Sequence, residues 1–329
     1  MLKLQPHHKD GNTCIDDNIV SVANYFNKKY IYMYAKGLNF TYTPKIQKGE
    51  SVLKTMRTSC TYPVSGQNFM VELDYMQDFV GLQLDRIPSS NMDEIELVHF
   101  IKKSIEINSP IGIFIDTYHV PWLDKYYQKV HMPHSFLVID IDEKDKYILC
   151  VDGFSSKKTV KLPFENLFSY TGIMTFKPVT PRINANFYNI ISQIINGLKD
   201  NNKLDNCDCI REFSQDVKAI KFSDEEKIIY KELHNSQFVF GLKSIEYSRK
   251  NLMDLFYYMS DEFSEQNGKL LSLLSKINTV VEQWKLLMVY FVKGFYSDQT
   301  SRYMNKAAEL LLVIASNEEG IARSLKTLI

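Results

Sequence analysis

Three side chains, far apart in the chain, are of the types that nucleophilic catalysis needs: Cys14, His134 and Asp152. A thiol attacks as its thiolate. With an ordinary pKa of about 8.5, a cysteine needs a positive partner to react near neutrality. Cys14 follows Asp10-Gly-Asn-Thr13 and precedes a pattern in which Ile15, Ile19, Val22, Ala23 and Phe26 share one helical face. It therefore stands where a helix starts, with the helix running to about Lys28. A helix start presents partial positive charge and free N–H groups, and the N–H of Cys14 itself is placed to hold a developing oxyanion. The plain alternative for the position is a buried, inert cysteine.

His134 and Asp152 come together through a hairpin. Ser135-Phe-Leu-Val-Ile-Asp-Ile141 and Tyr147-Ile-Leu-Cys-Val-Asp152 flank the polar turn Asp142-Glu-Lys-Asp145. A turn centred on Glu143–Lys144 sets His134 opposite position 153, within one residue of Asp152. A carboxylate there fixes the tautomer and orientation of the ring, the third role in a nucleophilic triad. The plain alternative is a hairpin with polar ends, Asp152-Gly153 being only a turn.

Cysteine on a helix start, then histidine on a strand, then aspartate on the next strand is the order of papain-like enzymes. Residues 1–180 resemble the N-terminal domain family of butirosin biosynthesis protein H. The resemblance rests on Gly11-Asn-Thr-Cys14, Asp116-Thr-Tyr-His-Val-Pro-Trp122, Tyr127, His131-Met-Pro-His-Ser-Phe-Leu-Val138 and Val151-Asp-Gly153. It implies an α+β, papain-like cysteine protease fold, N-terminal helices plus an antiparallel sheet, followed by an all-α helical domain. It also implies an acyltransferase of bacterial specialised metabolism, polythioamide routes included. Such an enzyme moves an acyl or peptidyl group from a carrier-protein thioester to a small amine or diamine, forming an amide without ATP. Cys14 is then the nucleophile, His134 the base and Asp152 the orienting acid. The enzyme itself binds no cofactor and no metal; phosphopantetheine arrives on the partner acyl or peptidyl carrier protein. A covering helical domain would keep water from the acyl-enzyme. Papain-like hydrolases commonly carry a glutamine shortly before the cysteine. Here His8 stands six positions before Cys14 and Gln5 three further back, so the second oxyanion donor stays open among Gln5, His8 and Asn12. The rival enzyme is a papain-like cysteine peptidase or amidase that trims a precursor peptide. The rival non-enzyme is a catalytically silent carrier-protein binding module.

Other residues near the strand ends carry two readings each. Asp116, Tyr118, Trp122, Tyr127 and His131 line a substrate site or anchor a loop. His119 and His131 are rival bases, and His7-His8 touch the site or lie loose. His131-x-x-His134 suggests a metal pair, but Pro133 forbids the regular helix that would turn both rings to one ion. Cys150 is a core thiol, Cys60 has no assigned role, and Cys207-x-Cys209 reads as a loop feature. Lys157-Lys158 with Lys161, or Lys28-Lys29, would meet an acidic carrier or simply be solvated. The aromatics of the second part, from Phe256 to Tyr296, are core, with a few lining an acyl channel.

The elements that position these groups fall into two parts, 1–180 and 181–329, cut at Lys177-Pro-Val-Thr-Pro-Arg182, after which no proline occurs. In the first part, helices are expected at 68–80 and 92–107, then strands at 111–116, in the hairpin, and at 172–176. In the second, helices are expected at about 187–198, 223–241 behind a Ser223/Glu226 capping box, 242–264, 268–294 and 298–327, forming a bundle of four to six. Lys plus Arg number 39 and Asp plus Glu number 39 in 329 residues, split 20 and 20 before residue 181 and 19 and 19 after it. That balance excludes a nucleic-acid-binding field and an acidic tail. With 45% hydrophobic residues the chain is globular. The absence of a membrane span or signal core and an odd count of 5 cysteines lead to the expectation of a cytoplasmic protein without a disulfide framework.

Overall fold

The computed structural model describes residues 1–10, 12–42, 64–65, 75–153, 158–198, 205–224, 227 and 237–329. The chain divides into two compact units, Met1–Met33 with Met70–Asn184, and Tyr34–Phe69 with Ala185–Ile329. This differs from a single cut at 180/181: the stretch from Tyr34 belongs with the helices. Its two-residue strands β1 (Thr41–Tyr42) and β2 (Val64–Ser65) pair with each other.

The first unit opens with α1 (Cys14–Tyr25), and its start is fixed by a capping box. Thr13 Oγ1 accepts the Asp16 N–H at 3.2 Å, and Asp16 accepts the Thr13 N–H at 2.8 Å. Cys14 is thereby the first helical residue. Among the described residues six antiparallel strands follow: β3 (Leu82–Pro88), β4 (Ile111–Asp116), β5 (Pro133–Asp142), β6 (Tyr147–Val151), β7 (Thr159–Pro163) and β8 (Tyr170–Pro178). Their order across the sheet is β3-β8-β4-β5-β6-β7. Helix α2 (Glu94–Glu106), capped by Asp93, buries Leu97 and Ile101 on the face that carries Ile113, Ile115, Phe136, Val138, Ile148 and Cys150. Burial of that thiol pushes its pKa up, consistent with a packing role. The other face of β5 meets α1, where Asn18 Nδ2 donates to Ser135 Oγ at 2.9 Å, both buried. A short helix, α3 (Phe164–Leu167), follows β7.

The hairpin register departs from expectation. Asp142 pairs with Tyr147, so the turn centres one residue later, and a bulge at Ile139 then shifts the ladder before Val138 pairs with Cys150 and Leu137 with Val151. Continued one step, this puts Asp152 opposite Phe136 rather than beside His134. Strand alternation keeps 134 and 136 on one face, so Asp152 reaches His134 diagonally.

The second unit contains α4 (Phe187–Asn196), α5 (Asn206–Val217), α6 (Gln237–Glu262), α7 (Asn267–Tyr296) and α8 (Thr300–Lys326). Cys207 and Cys209 are not in a loop, as expected, but buried in the first turn of α5, capped by Asp205. These helices close around residues 38–40. The guanidinium of Arg249 donates to the Leu38 and Asn39 carbonyls at 3.1 and 2.7 Å and to both oxygens of Glu318 at 3.0 and 2.9 Å. Trp284 Nε1 donates to Glu318 at 3.0 Å, and Phe40 packs on the Trp284 ring. Among the described residues no helix is long and apolar enough to cross a membrane. Residues 68–74, Cys60, Lys157, Glu226 and most of 225–236 lie outside the described residues.

Candidate active site

Cys14, His134 and Asp152 meet in the first unit. His134 Nε2 lies 2.8 Å from Asp152 Oδ2, and the two side chains are 4% and 1% exposed, so the pair is shielded from water. The ring is also hydrogen-bonded to Cys14. With Nε2 engaged by Asp152, Nδ1 is the nitrogen turned to the sulfur. Burial works against a charged ring here, yet the hydrogen bonds to Asp152 and Cys14 and their negative charge prevail, and the His134 pKa is raised to about 10. At neutral pH the ring is an imidazolium held between two acceptors. It supplies the positive charge a thiolate requires, at a helix N-terminus that supplies more. As the first helical residue, Cys14 has an N–H without an intrahelical acceptor, the kind of donor that an oxyanion needs.

Trp122 bonds to the buried carboxylate. Its Nε1–H donates to Asp152 Oδ2 at 2.8 Å, and its ring stands edge-on to Phe136. The indole therefore covers the carboxylate and fixes it, where substrate lining was one of two expectations. Asp116, Tyr118 and His131 form a separate cluster. Asp116 binds His131 Nδ1 at 2.9 Å and accepts the backbone N–H groups of Tyr118 and Met132. Tyr118 stacks on His131 at 4.6 Å, and Thr117 bonds to Met132 and Val130 across the loop. These contacts clamp the ends of the 117–132 loop, which is the anchoring reading. His131 faces Asp116 rather than Asp152, and His119 lies against Tyr118. Tyr127 is half-buried and accepts a hydrogen bond from Gln128 at 3.4 Å.

Of the three oxyanion candidates, Gln5 is exposed and carries no hydrogen bond among the described residues. Asn12 is buried and donates Nδ2 to Asp17 Oδ1 at 2.9 Å. His8 Nδ1 meets Asp17 Oδ2 at 2.8 Å. Among the basic candidates, Lys28 Nζ donates to the Val179 carbonyl at 2.9 Å and Lys161 lies over the Tyr147 ring at 4.0 Å.

Several contributors escaped the sequence reading. Thr13 and Asp16 form a Thr-x-x-Asp cap that is visible in the sequence and names the helix start. Asn18, four residues after Cys14, is a polar residue inside the apolar stripe, which marks a buried bond. Gly153 lies in a turn, the plain alternative for that position, and it is also a close approach: a Cβ there would lie 1.7 Å from the His7 carbonyl oxygen. Only glycine lets the N-terminal segment lie against the end of the strand that carries Asp152. Among the described residues no group of three or more His, Cys, Asp or Glu side chains is placed to hold a metal ion. No known family model matches the chain. No curated protein matches it either.

Proposed function

We propose that the chain is a papain-like cysteine acyltransferase that takes an acyl or peptidyl group from a carrier-protein thioester and forms an amide with a small amine. The observation that carries this reading is His134, bonded on one side to Cys14 at a helix start and on the other to a buried, indole-clamped Asp152. The donor class follows from the resemblance of residues 1–180.

The chemistry runs in two halves. The Cys14 sulfur attacks the thioester carbon while the Cys14 N–H holds the oxyanion. The carbonyl reforms, the carbon–sulfur bond to the carrier breaks, and His134 gives its proton to the departing thiol. Acylation then removes both contributions that Cys14 makes to the high pKa of His134, leaving Asp152 alone to oppose burial. The ring pKa falls, and the neutral ring is ready to regain a proton. In the second half an amine attacks the acyl-enzyme, Cys14 leaves as thiolate, and the amine's proton ends on His134, restoring the starting pair. No ATP is required, because a thioester is already activated relative to an amide.

A product assay tests this. Incubation with an acyl-loaded carrier protein and a simple amine should release the N-acyl amine, and Cys14→Ala should release none above background. Peptide cleavage with no amide formed from any carrier thioester would replace the reading with that of a peptidase.

A further inference from the structure

An indole and an imidazole converge on one atom. Trp122 Nε1 lies 2.8 Å from Asp152 Oδ2, and His134 Nε2 lies 2.8 Å from the same oxygen. A carboxylate oxygen has lone pairs for two donors. The neighbours of Trp122 place its indole. The Leu123 N–H donates to the Val120 carbonyl at 3.1 Å. This closes a four-residue turn with Pro121 second, the place proline favours, and Trp122 third. Val120 and Leu123 are both buried in the core that includes Leu97 and Ile101 of α2, so the turn is pinned at each end. Phe136 supports both donors: the indole stands edge-on to it at 5.2 Å, and the His134 ring lies 6.3 Å from it.

The value of a held carboxylate depends on the charge of His134. An imidazolium carries a proton on each nitrogen, so it has no tautomer to select. A neutral ring carries one proton, and the bond its other side makes decides which nitrogen holds it. After acylation the ring is neutral. Its proton must then stay on Nε2, because Nδ1 is the nitrogen on the side of the sulfur.

We infer that Trp122, through its indole N–H, is a positioning residue for the second half of the reaction: it anchors Asp152 so that neutral His134 keeps its proton on Nε2 and takes the amine's proton at Nδ1. This rests on the acyl-transfer reading above. As the amine nitrogen bonds to the acyl carbon, its proton passes to Nδ1. The carbon–sulfur bond breaks, its electron pair returns to Cys14 as the thiolate, and the ring is an imidazolium again. The first half begins from that imidazolium and needs no tautomer chosen. Loss of the indole N–H therefore falls on transfer to the amine and spares acylation.

The test compares three full-length proteins: wild type, Trp122→Phe, and one with 3-benzothienylalanine at position 122, introduced by codon suppression. The last keeps the shape of the indole and has sulfur in place of the N–H. In one arm Cys14 is capped with iodoacetamide, which leaves a neutral thioether in place of the acyl-enzyme. The ring nitrogens of His134 are then followed by nitrogen-15 NMR as pH rises. Above the ring's midpoint wild type should show the Nε2–H tautomer alone, and both replacements a mixture, a signature that a merely structural role would not move. In the other arm, enzyme loaded from p-nitrophenyl butyrate is chased with n-propylamine. Transfer should fall about tenfold in both replacements, the weight of one hydrogen bond to a charged group, while acylation stays within about twofold. A single Nε2–H tautomer in the benzothienyl protein would overturn the inference, and so would equal losses in both steps or unchanged transfer. If Trp122→Phe fails to fold, the benzothienyl protein decides alone. If wild type shows the single tautomer and yet forms no amide, the acyl-transfer reading falls, and the NMR arm still decides whether the indole anchors Asp152.

Discussion

Asp152→Ala is expected to lower turnover by about four orders of magnitude, the scale seen when a triad loses its orienting carboxylate. The substitution removes the carboxylate that holds Nε2 of a ring 4% exposed beside a sulfur. Burial, which already opposes the charge on His134, then meets less resistance, and the ring loses its proton at lower pH. The effect on stability follows by linkage. The folded pKa of His134 is about 10 against an ordinary 6.5, so its contribution is complete below about pH 6.5 and is lost as pH rises through about 10. Urea denaturation of the wild type should therefore show stability falling between pH 6.5 and 10. Asp152→Ala should be less stable at pH 6.5 and show a shallower fall. A variant with the same pH slope as wild type would mean that Asp152 does not hold the proton of His134.

Glu318→Ala should destabilise the second unit by about 3–5 kcal/mol, the range for breaking a buried ion pair from one side. Arg249 and Glu318 are both 0% exposed, so the substitution leaves a guanidinium with only the Leu38 and Asn39 carbonyls and removes the acceptor of the Trp284 N–H. The double change Arg249→Met with Glu318→Leu should recover much of the loss, because no buried charge remains. Chemical denaturation followed by Trp284 fluorescence reads both. If Glu318→Ala cost less than about 1 kcal/mol, the pair would not be what holds residues 38–40 in the bundle.

What the sequence made legible was whatever local chemistry dictates. The apolar stripe from Ile15 to Phe26 and the alternation around Asp142–Tyr147 announce a helix and a hairpin. They are enough to bring a cysteine to a helix start and a histidine near an aspartate. The bulge at Ile139 leaves no such mark, and it shifts the ladder by one position, which sets Asp152 opposite Phe136 and on the face of His134. The clamp from Trp122 to Asp152 spans 30 residues through a loop, beyond the reach of periodicity. The edge strand β3 is harder to read, because Leu82 and Leu84 alternate with Gln83 and Asp85 only until Arg86 breaks the pattern; its pairing with β8 defines it. The place of Tyr34–Phe40 in the second unit is set by Arg249, Asn206 and Trp284, and nothing local in that stretch predicts it. Asp17 looked like one of two acidic residues at a helix start, a common choice for the dipole. Its burial and its imidazole partner appear only in three dimensions.

The central claim is that the Cys14 sulfur carries the acyl group. Intact-protein mass spectrometry after brief mixing with an acyl-loaded carrier protein measures it directly, with peptide mapping to place the added mass. The expected result is one acyl adduct on Cys14, absent in Cys14→Ala, slow to form in Asp152→Ala, and discharged when amine is added. An adduct on another residue, or full amide formation by Cys14→Ala, would contradict the account.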